Sequence, residues 1–431
     1  MRLLSTAALS LALAAAGGLM LPAAVSAAKK DEKAADNGAP KLTASAKFVK
    51  PAKAVQDLIA AKDYAGAMAK MPEAEAAAST PDDKYFVSTF YLNLGIGQND
   101  QALQRKGLEG MLASGKVAPD LVGRYEMEAG KLAQVTKDIP AARDHYNKSI
   151  AAGTAGSDPY VMLAETYFAD AYNNVEGNQL NATGKTLASQ GLPYLKKAIE
   201  VDTAAGKAVP PEWYVRGMKM AVLSGDAGVG EWYKLTLAHA PTAENWRIVL
   251  RGVQDANKTL SSGENLDILR LMRQTKSLAG DYSYSEYSEA AWRAGLPGEV
   301  VSLIDTGAAN GEIKKERYND LYKLAQPAAL KDKPTLAASE ASAQKAATGK
   351  PAANTAMAYL SYGEAAKAIP LFKLALEKGG VDTNEVNTRL GIALAQTGDK
   401  AGAQAAFAAV TGTGLRKQIA DLWTVYVKGN A

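Results

Sequence analysis

Small and aromatic residues recur in this chain at a spacing of 34 or 35, and that spacing constrains the fold more than any other feature. Ala356 and Gly391, Ala368 and Ala403, and Phe372 and Phe407 each stand 35 apart; so do Ala67 and Ala102, and Gly130 precedes Ala164 by 34. A repeat of this length is one supersecondary unit that cannot bury its apolar face alone, so neighbouring units must stack and present equivalent packing residues at equivalent places.

The unit is helical. From about Val55 the chain is a run of amphipathic segments, separated by short turns of Gly, Asp, Asn or Pro, with hardly any period-two stretch of β-branched and aromatic residues. In EMEAGKLAQVTKDIPAARDHYNKSI, Ala129-Gly130 lets two helices approach and Lys137-Asp138 makes the turn. Ala142, Tyr146 and Ser149 then fall at i, i+4 and i+7, one stripe of the second helix. Tyr160, Leu163 and Tyr167 surround Ala164 in the same way. The segments AMAYLSYGEAAKAIPLFKLALEKG and LGIALAQTGDKAGAQAAFAAV repeat the pattern near the C-terminus.

In this register Trp213, Leu163, Gly130, Tyr167, Ala142, Tyr146, Ala375 and Pro241 occupy places that match a family pattern of large, small and aromatic residues with a Pro at the exit, and the chain resembles the tetratricopeptide repeat family of exported bacterial type. The resemblance implies an all-α fold, a right-handed alpha-alpha superhelix (a TPR-like solenoid) of about ten hairpins. They would begin near Phe48, Asp83, Gly123, Ser157, Pro210, Glu244, Asp281, Lys315, Gly349 and Asn384. Phe90, Arg251 and Tyr322 depart from it, being bulky where the family has a small residue.

The resulting organisation is a signal peptide over 1–28, a flexible leader over 29–50, N-terminal repeats over 51–243 with an Asn/Gly-rich insert loop at 173–190, degenerate helical repeats over 244–348, a C-terminal repeat pair over 349–411 and a capping helix over 412–431. The signal rests on Met1-Arg2, the apolar stretch from Leu3 to Leu21, and the small residues Val25-Ser26-Ala27 before the cleavage site. With no Cys there is neither a disulfide nor a lipid-modified cysteine, so the expected address is the bacterial periplasm, with secretion the other destination, and the protein is not a lipoprotein. A formal charge of +4 with both signs interleaved offers no footprint for nucleic acid.

Chemistry is sparse. The two histidines, His145 and His239, lie in second helices without a partner at ligand spacing. Gly184-Lys185-Thr186 lacks the leading glycine and strand of a phosphate loop, and the glycines from Gly225 to Gly230 sit at a turn. No catalytic, metal or cofactor residues are expected, and the protein is read as not an enzyme. In a tetratricopeptide stack first helices line the concave side, so the resemblance implies a partner-binding groove of Lys84, Tyr91, Arg124, Lys131, Gln134, Glu165, Phe168, Tyr214 and Met218. The mixture of apolar and charged groups suits a segment of a protein partner. The stretch DYSYSEYSEAAW offers Tyr282, Tyr284, Tyr287 and Trp292 as an aromatic contact patch, although Tyr284, Tyr287 and Ala291 also fit the packing stripe of a helix.

The leading expectation is an exported scaffold or adaptor in a cell-envelope assembly that binds one or more proteins. The alternative is a helper of exopolysaccharide or peptidoglycan machinery that contacts glycan through the tyrosines; a peptidoglycan-acting enzyme is the third reading.

Overall fold

The computed structural model describes residues 42–153 and 155–429. The signal segment 1–28 and leader residues 29–41 lie outside them. Among the described residues the chain is all-α apart from one short hairpin of strands, and it divides into two compact units, Met1–Val209 and Pro210–Ala431.

In the first unit α1 (Ala46–Ala60) pairs with α2 (Tyr64–Ala77), α3 (Pro81–Gly97) with α4 (Gln101–Ala113), α5 (Pro119–Val135) with α6 (Ile139–Ala152), and α7 (Asp158–Tyr172) with α8 (Ala182–Ala204). One turn design joins most pairs. At the end of α1, α3 and α5 the backbone enters the left-handed region at Lys62, Asn99 and Lys137. The next residue, an aspartate, returns its N–H to a carbonyl five residues back: Asp63 to Leu58, Asp100 to Gly95 and Asp138 to Ala133. This is the Schellman bond that ends a helix. The same aspartates then cap the following helix, their carboxylates accepting from the N–H groups of Gly66, Ala102 and Leu103, and Ala141. One residue thus closes one helix and opens the next.

Within a pair, a small residue on the first helix meets an aromatic about one half-unit on. A Cβ at Gly130 would lie 2.6 Å from Tyr146 Cε1, one at Gly391 2.4 Å from Phe407 Cε1, and one at Gly217 2.1 Å from Trp232 Cζ3. The 34–35 period is this contact repeated. Two pairs invert it. Phe90 is buried on α3, and the close approach comes from α4, where a Cβ at Gly107 would fall 2.5 Å from the backbone N of Leu92. In α7 and α8 it is Phe168 that is large and Gly191 that is small.

The leader does not extend to residue 50: Phe48 is fully buried in α1, and Leu42 and Ala44 pack against the same apolar cluster. Asp82 and Asp83 hold this segment down by accepting the N–H groups of Thr43 and Ser45. Nor is 173–190 a loop throughout. Two strands, β1 (Val175–Glu176) and β2 (Gln179–Leu180), form an antiparallel hairpin, and α8 has begun by Ala182, capped by Asn181. Leu180 is buried and Gly184 packs against the carbonyl of Asn174, so the insert is anchored at both ends.

In the second unit α9 (Pro211–Ser224) pairs with α10 (Val229–His239), followed by α11 (Ala243–Ala256) and α12 (Ser262–Gln274), then the pair α13 (Gly280–Arg293) and α14 (Pro297–Ala309). The pair expected to begin near Lys315 does not form. Instead α15 (Asn319–Asp332), a 3-10 turn over Lys333–Thr335 and α16 (Leu336–Lys345) run on as one bent path, because Lys333 and Leu336 stay in the right-handed helical region where a hairpin would need to reverse. α15 packs on α14 and α16 on α17 (Lys350–Ser361). The pairs α17 with α18 (Ala365–Lys378) and α19 (Thr383–Gln396) with α20 (Lys400–Ala408) are regular. The last helix, α21 (Leu415–Gly429), packs on α19 and α20 and also on α10 and α12.

Candidate functional site

The nine groove residues divide by burial. Phe168 and Met218 are fully buried, and Tyr91 and Tyr214 nearly so. Tyr91 donates to Glu75 Oε1 at 2.7 Å under the ammonium of Lys106, and Tyr214 stacks on His239 with centroids 4.2 Å apart. These four are packing residues. A position read as inward on a helical wheel is here the core side, because another helix covers it: the second helix of the same pair for Phe168 and Tyr214, the preceding pair for Tyr91.

Five stay within reach of solvent. Lys84 and Arg124 are exposed, while Lys131, Gln134 and Glu165 are half-buried. Lys131 is tied to Glu128 on its own helix, and Gln134 accepts the hydroxyl of Tyr146. Lys84 and Arg124 have no ion-pair partner among the described residues. Each immediately precedes a tyrosine, Tyr85 on α3 and Tyr125 on α5, that packs into one apolar cluster; burial pushes the Tyr125 phenol up to about 12. Two successive first helices therefore each present an exposed, unneutralised cation beside one inter-helix contact.

His145 sits in a polar ladder. Its Nδ1 lies 2.6 Å from Glu126 and its Nε2 3.3 Å from Glu109, and Arg105 binds Glu109 at 2.6 Å and Asp138 of the next turn at 2.8 Å. The bond to Glu126 raises the imidazole pKa against the opposing effect of burial, and Glu109 adds to the rise. Further along, Arg143 bridges to Asp170 at 2.6 Å and lies over the Tyr167 ring. This arrangement staples adjacent helix pairs.

The aromatic patch separates as well. Tyr284, Tyr287 and Ala291 are buried as a stripe, Trp292 is half-buried, and only Tyr282 stands out, 73% exposed. Two buried hydroxyls serve acids: Tyr284 donates to Glu312, and Tyr287 to Glu299 at 2.7 Å.

Glu299 belongs to a buried ionic cluster that the sequence reading did not find. Arg270 grips it with two bonds, Nε to Oε1 at 2.9 Å and Nη2 to Oε2 at 2.6 Å, and reaches Asp267 Oδ1 at 3.1 Å. Asp267 Oδ2 takes Arg416 at 2.5 Å and has Arg389 Nε at 3.5 Å, while Trp423 donates its indole N–H to the Asp267 carbonyl at 3.2 Å. Burial pushes the Asp267 and Glu299 carboxyls up, but the arginines outweigh it and hold both below their ordinary values. The available signal was local: LDILRLM sets an acid and a base at i, i+3 inside an otherwise apolar helical run.

No group of His, Cys, Asp and Glu able to hold a metal ion occurs among the described residues. Also among them, no helix is long and apolar enough to cross a membrane.

No family model and no curated protein matches this sequence. Among solved structures, the chain is similar to one in the APC/C hetero-tetramer Cut9-Hcn1, at 11% identity over 85% of this chain and 87% of that one, with a TM-score of 0.18. It is also similar to yeast Tom70, at 11% identity over 88% and 95% of the two chains, with a TM-score of 0.22. At such scores the backbones do not superpose, and the account of the fold rests on the helices described above.

Proposed function

We propose that this protein is an exported scaffold or adaptor of the bacterial cell envelope, one that holds a protein partner and performs no catalysis. The observation that carries this reading is the pair of exposed cations, Lys84 and Arg124, on successive first helices of a packed stack and without a carboxylate partner among the described residues. Unpaired surface charge on a fixed frame favours steering and register with a complementary surface. Lys131, Gln134 and Glu165 extend the same set. Export rests on the segment 1–28. The burial of Tyr284 and Tyr287 takes two of the four aromatics on which a glycan-contacting role depended off the surface, leaving Tyr282 exposed and Trp292 half-buried.

The test is affinity capture of the tagged full-length protein from cross-linked envelope extracts. A stoichiometric protein partner is expected, and it should be lost in the double variant Lys84→Glu/Arg124→Glu with the helical circular dichroism unchanged. Retention of purified glycan with no protein partner would overturn the reading.

A further inference from the structure

The stretch from α15 to α16 is held differently from the helix pairs on either side of it. Between residues 319 and 345 only Ala325, Leu336 and Ala343 are buried, and two of these are alanines. Leu324 and Leu330 face outward, 58% and 72% exposed, and add nothing to its docking. By contrast α17 buries Ala356, Met357, Tyr359 and Leu360 within twelve residues. An element with so little apolar burial opens at a lower free energy than its neighbours.

Polar side chains do the holding instead. Lys378, the last residue of α18, directs its ammonium at the end of α16 and donates to the carbonyls of Ala343, Gln344 and Ala346 at 3.3, 2.7 and 2.6 Å. Carbonyls of a last helical turn are short of partners and carry the negative end of the helix dipole, so a cation suits them. Tyr359 donates to Glu340 at 3.0 Å, Tyr362 to Asp332 at 2.8 Å, and Lys333 pairs with Glu364 at 3.1 Å. On the other flank Tyr322 donates to Asp305 of α14 at 3.1 Å. These contacts are part-exposed, and water can replace them.

Both ends of the stretch are anchored independently of it. Tyr318 is buried and donates to the carbonyl of Asp281 at 3.0 Å. Gly349 donates to the Gly379 carbonyl at 2.8 Å, and a Cβ there would lie 2.1 Å from the carbonyl oxygen of Ala375. Nor does the rest of the unit depend on the stretch. α14 packs directly on α17, where a Cβ at Gly298 would fall 2.3 Å from Tyr362 Cε1. Arg270, bound to Glu299 of α14, also reaches Met357 Sδ of α17 at 3.7 Å.

We propose that α15 and α16 form a strap that undocks as one piece between Tyr318 and Gly349, with Lys378 as its chief latch, while the remainder of the second unit stays folded. Undocking bares the seam between α14 and α17, since α15 lies on the first and α16 on the second. The inference does not depend on what the protein binds.

Hydrogen exchange of the full-length protein, followed by mass spectrometry across a series of low denaturant concentrations, tests this. Amides of 319–345 are expected to exchange at one shared rate, at least about tenfold faster than those of α14 and α17, and to quicken with denaturant as a segment that exposes its surface together does. Lys378→Met should speed the strap about tenfold more, the scale of a lost charged hydrogen bond, and leave α12, α14 and α17 unchanged. Tyr362→Phe, which keeps the ring against Gly298, should speed it by less. Strap amides that exchange together with α14 and α17 would overturn the proposal, as would exchange graded from the helix ends and indifferent to denaturant. So would a Lys378→Met variant that leaves the strap rate unaltered or loosens α14 and α17 equally.

Discussion

The two units reach stability by different means. In the first, each helix pair packs on the next through apolar clusters, such as that of Phe48, Met71, Phe86 and Phe90, and the ion pairs of Arg105 and Arg143 lie part-exposed beside them, with the His145–Glu126 contact buried. In the second, the regular pairing lapses around α15 and α16, and a buried set of ions gathers α12, α14, α19 and α21 about Asp267 and Arg270. The lesson concerns energy as much as shape. An apolar contact degrades gradually when trimmed, whereas a buried ion pair that loses one member leaves a charge with no water and no partner.

The largest effect should come from Asp267→Ala, which removes the buried carboxylate that Arg270, Arg389 and Arg416 share and leaves Arg416 without its ion-pair partner. We expect a loss of about 3–5 kcal/mol, confined to the second unit: chemical denaturation followed by limited proteolysis should show early cleavage after residue 210 and an unaltered first unit. A single unchanged transition would mean that the cluster contributes little. The same carboxylates set an acid limit. Their folded pKa values are depressed, so their stabilisation is present above the unfolded value, near 3.8 for Asp267, and disappears as pH falls through the folded one.

Gly130→Ala tests the apolar half of the comparison. The added methyl meets the Tyr146 ring, which cannot rotate away within a packed pair, and should cost about 1–3 kcal/mol in the first unit. Thermal unfolding monitored by tyrosine fluorescence reads it; a neutral result would show that the helices can separate slightly at no cost.

The smallest effect concerns His145. Its folded pKa is raised above 6.5, so its bonds to Glu126 and Glu109 stabilise fully below that value and fade as pH rises through the folded pKa. His145→Gln should therefore cost a few tenths to about 1 kcal/mol at pH 5.5 and less at pH 8.5. The first unit would then weaken toward alkali and the second toward acid; an effect that grows with pH would break this contrast.

The helix pairs were legible in the sequence because their decisive contact, a glycine or alanine against an aromatic, leaves a mark at a fixed spacing, as Gly130 with Tyr146 and Gly391 with Phe407 show. Where the roles invert, at Phe90 and Gly107, the same contact reads as a departure. The kinked path from α15 to α16 escaped because Pro334 and short polar stretches look like a hairpin turn; only the continued helical backbone at Lys333 excludes one. Among the candidate residues, Lys84 and Arg124 could be placed on a surface, while Phe168 and Met218 could not be told from it. A helical stripe shows that residues share a face, and leaves open which neighbouring helix covers it. The ionic cluster was hidden for a further reason: Asp267 and Arg416 are 149 residues apart, beyond any local pattern.

That separation bears on how the chain is made. The first unit can assemble in the order of synthesis, since each helix pair finds its packing partner within a repeat or two. The second has Asp267 and Arg270 in place long before Arg389, Arg416 and Trp423 leave the ribosome, so for more than a hundred residues of elongation the pocket for the Trp423 ring stands empty and part of the charge on Asp267 is uncompensated. Its completion waits on α21, whose Arg416 and Trp423 close the cluster about Asp267, so the contacts of highest sequence separation in this unit can form only after the rest of it has been made.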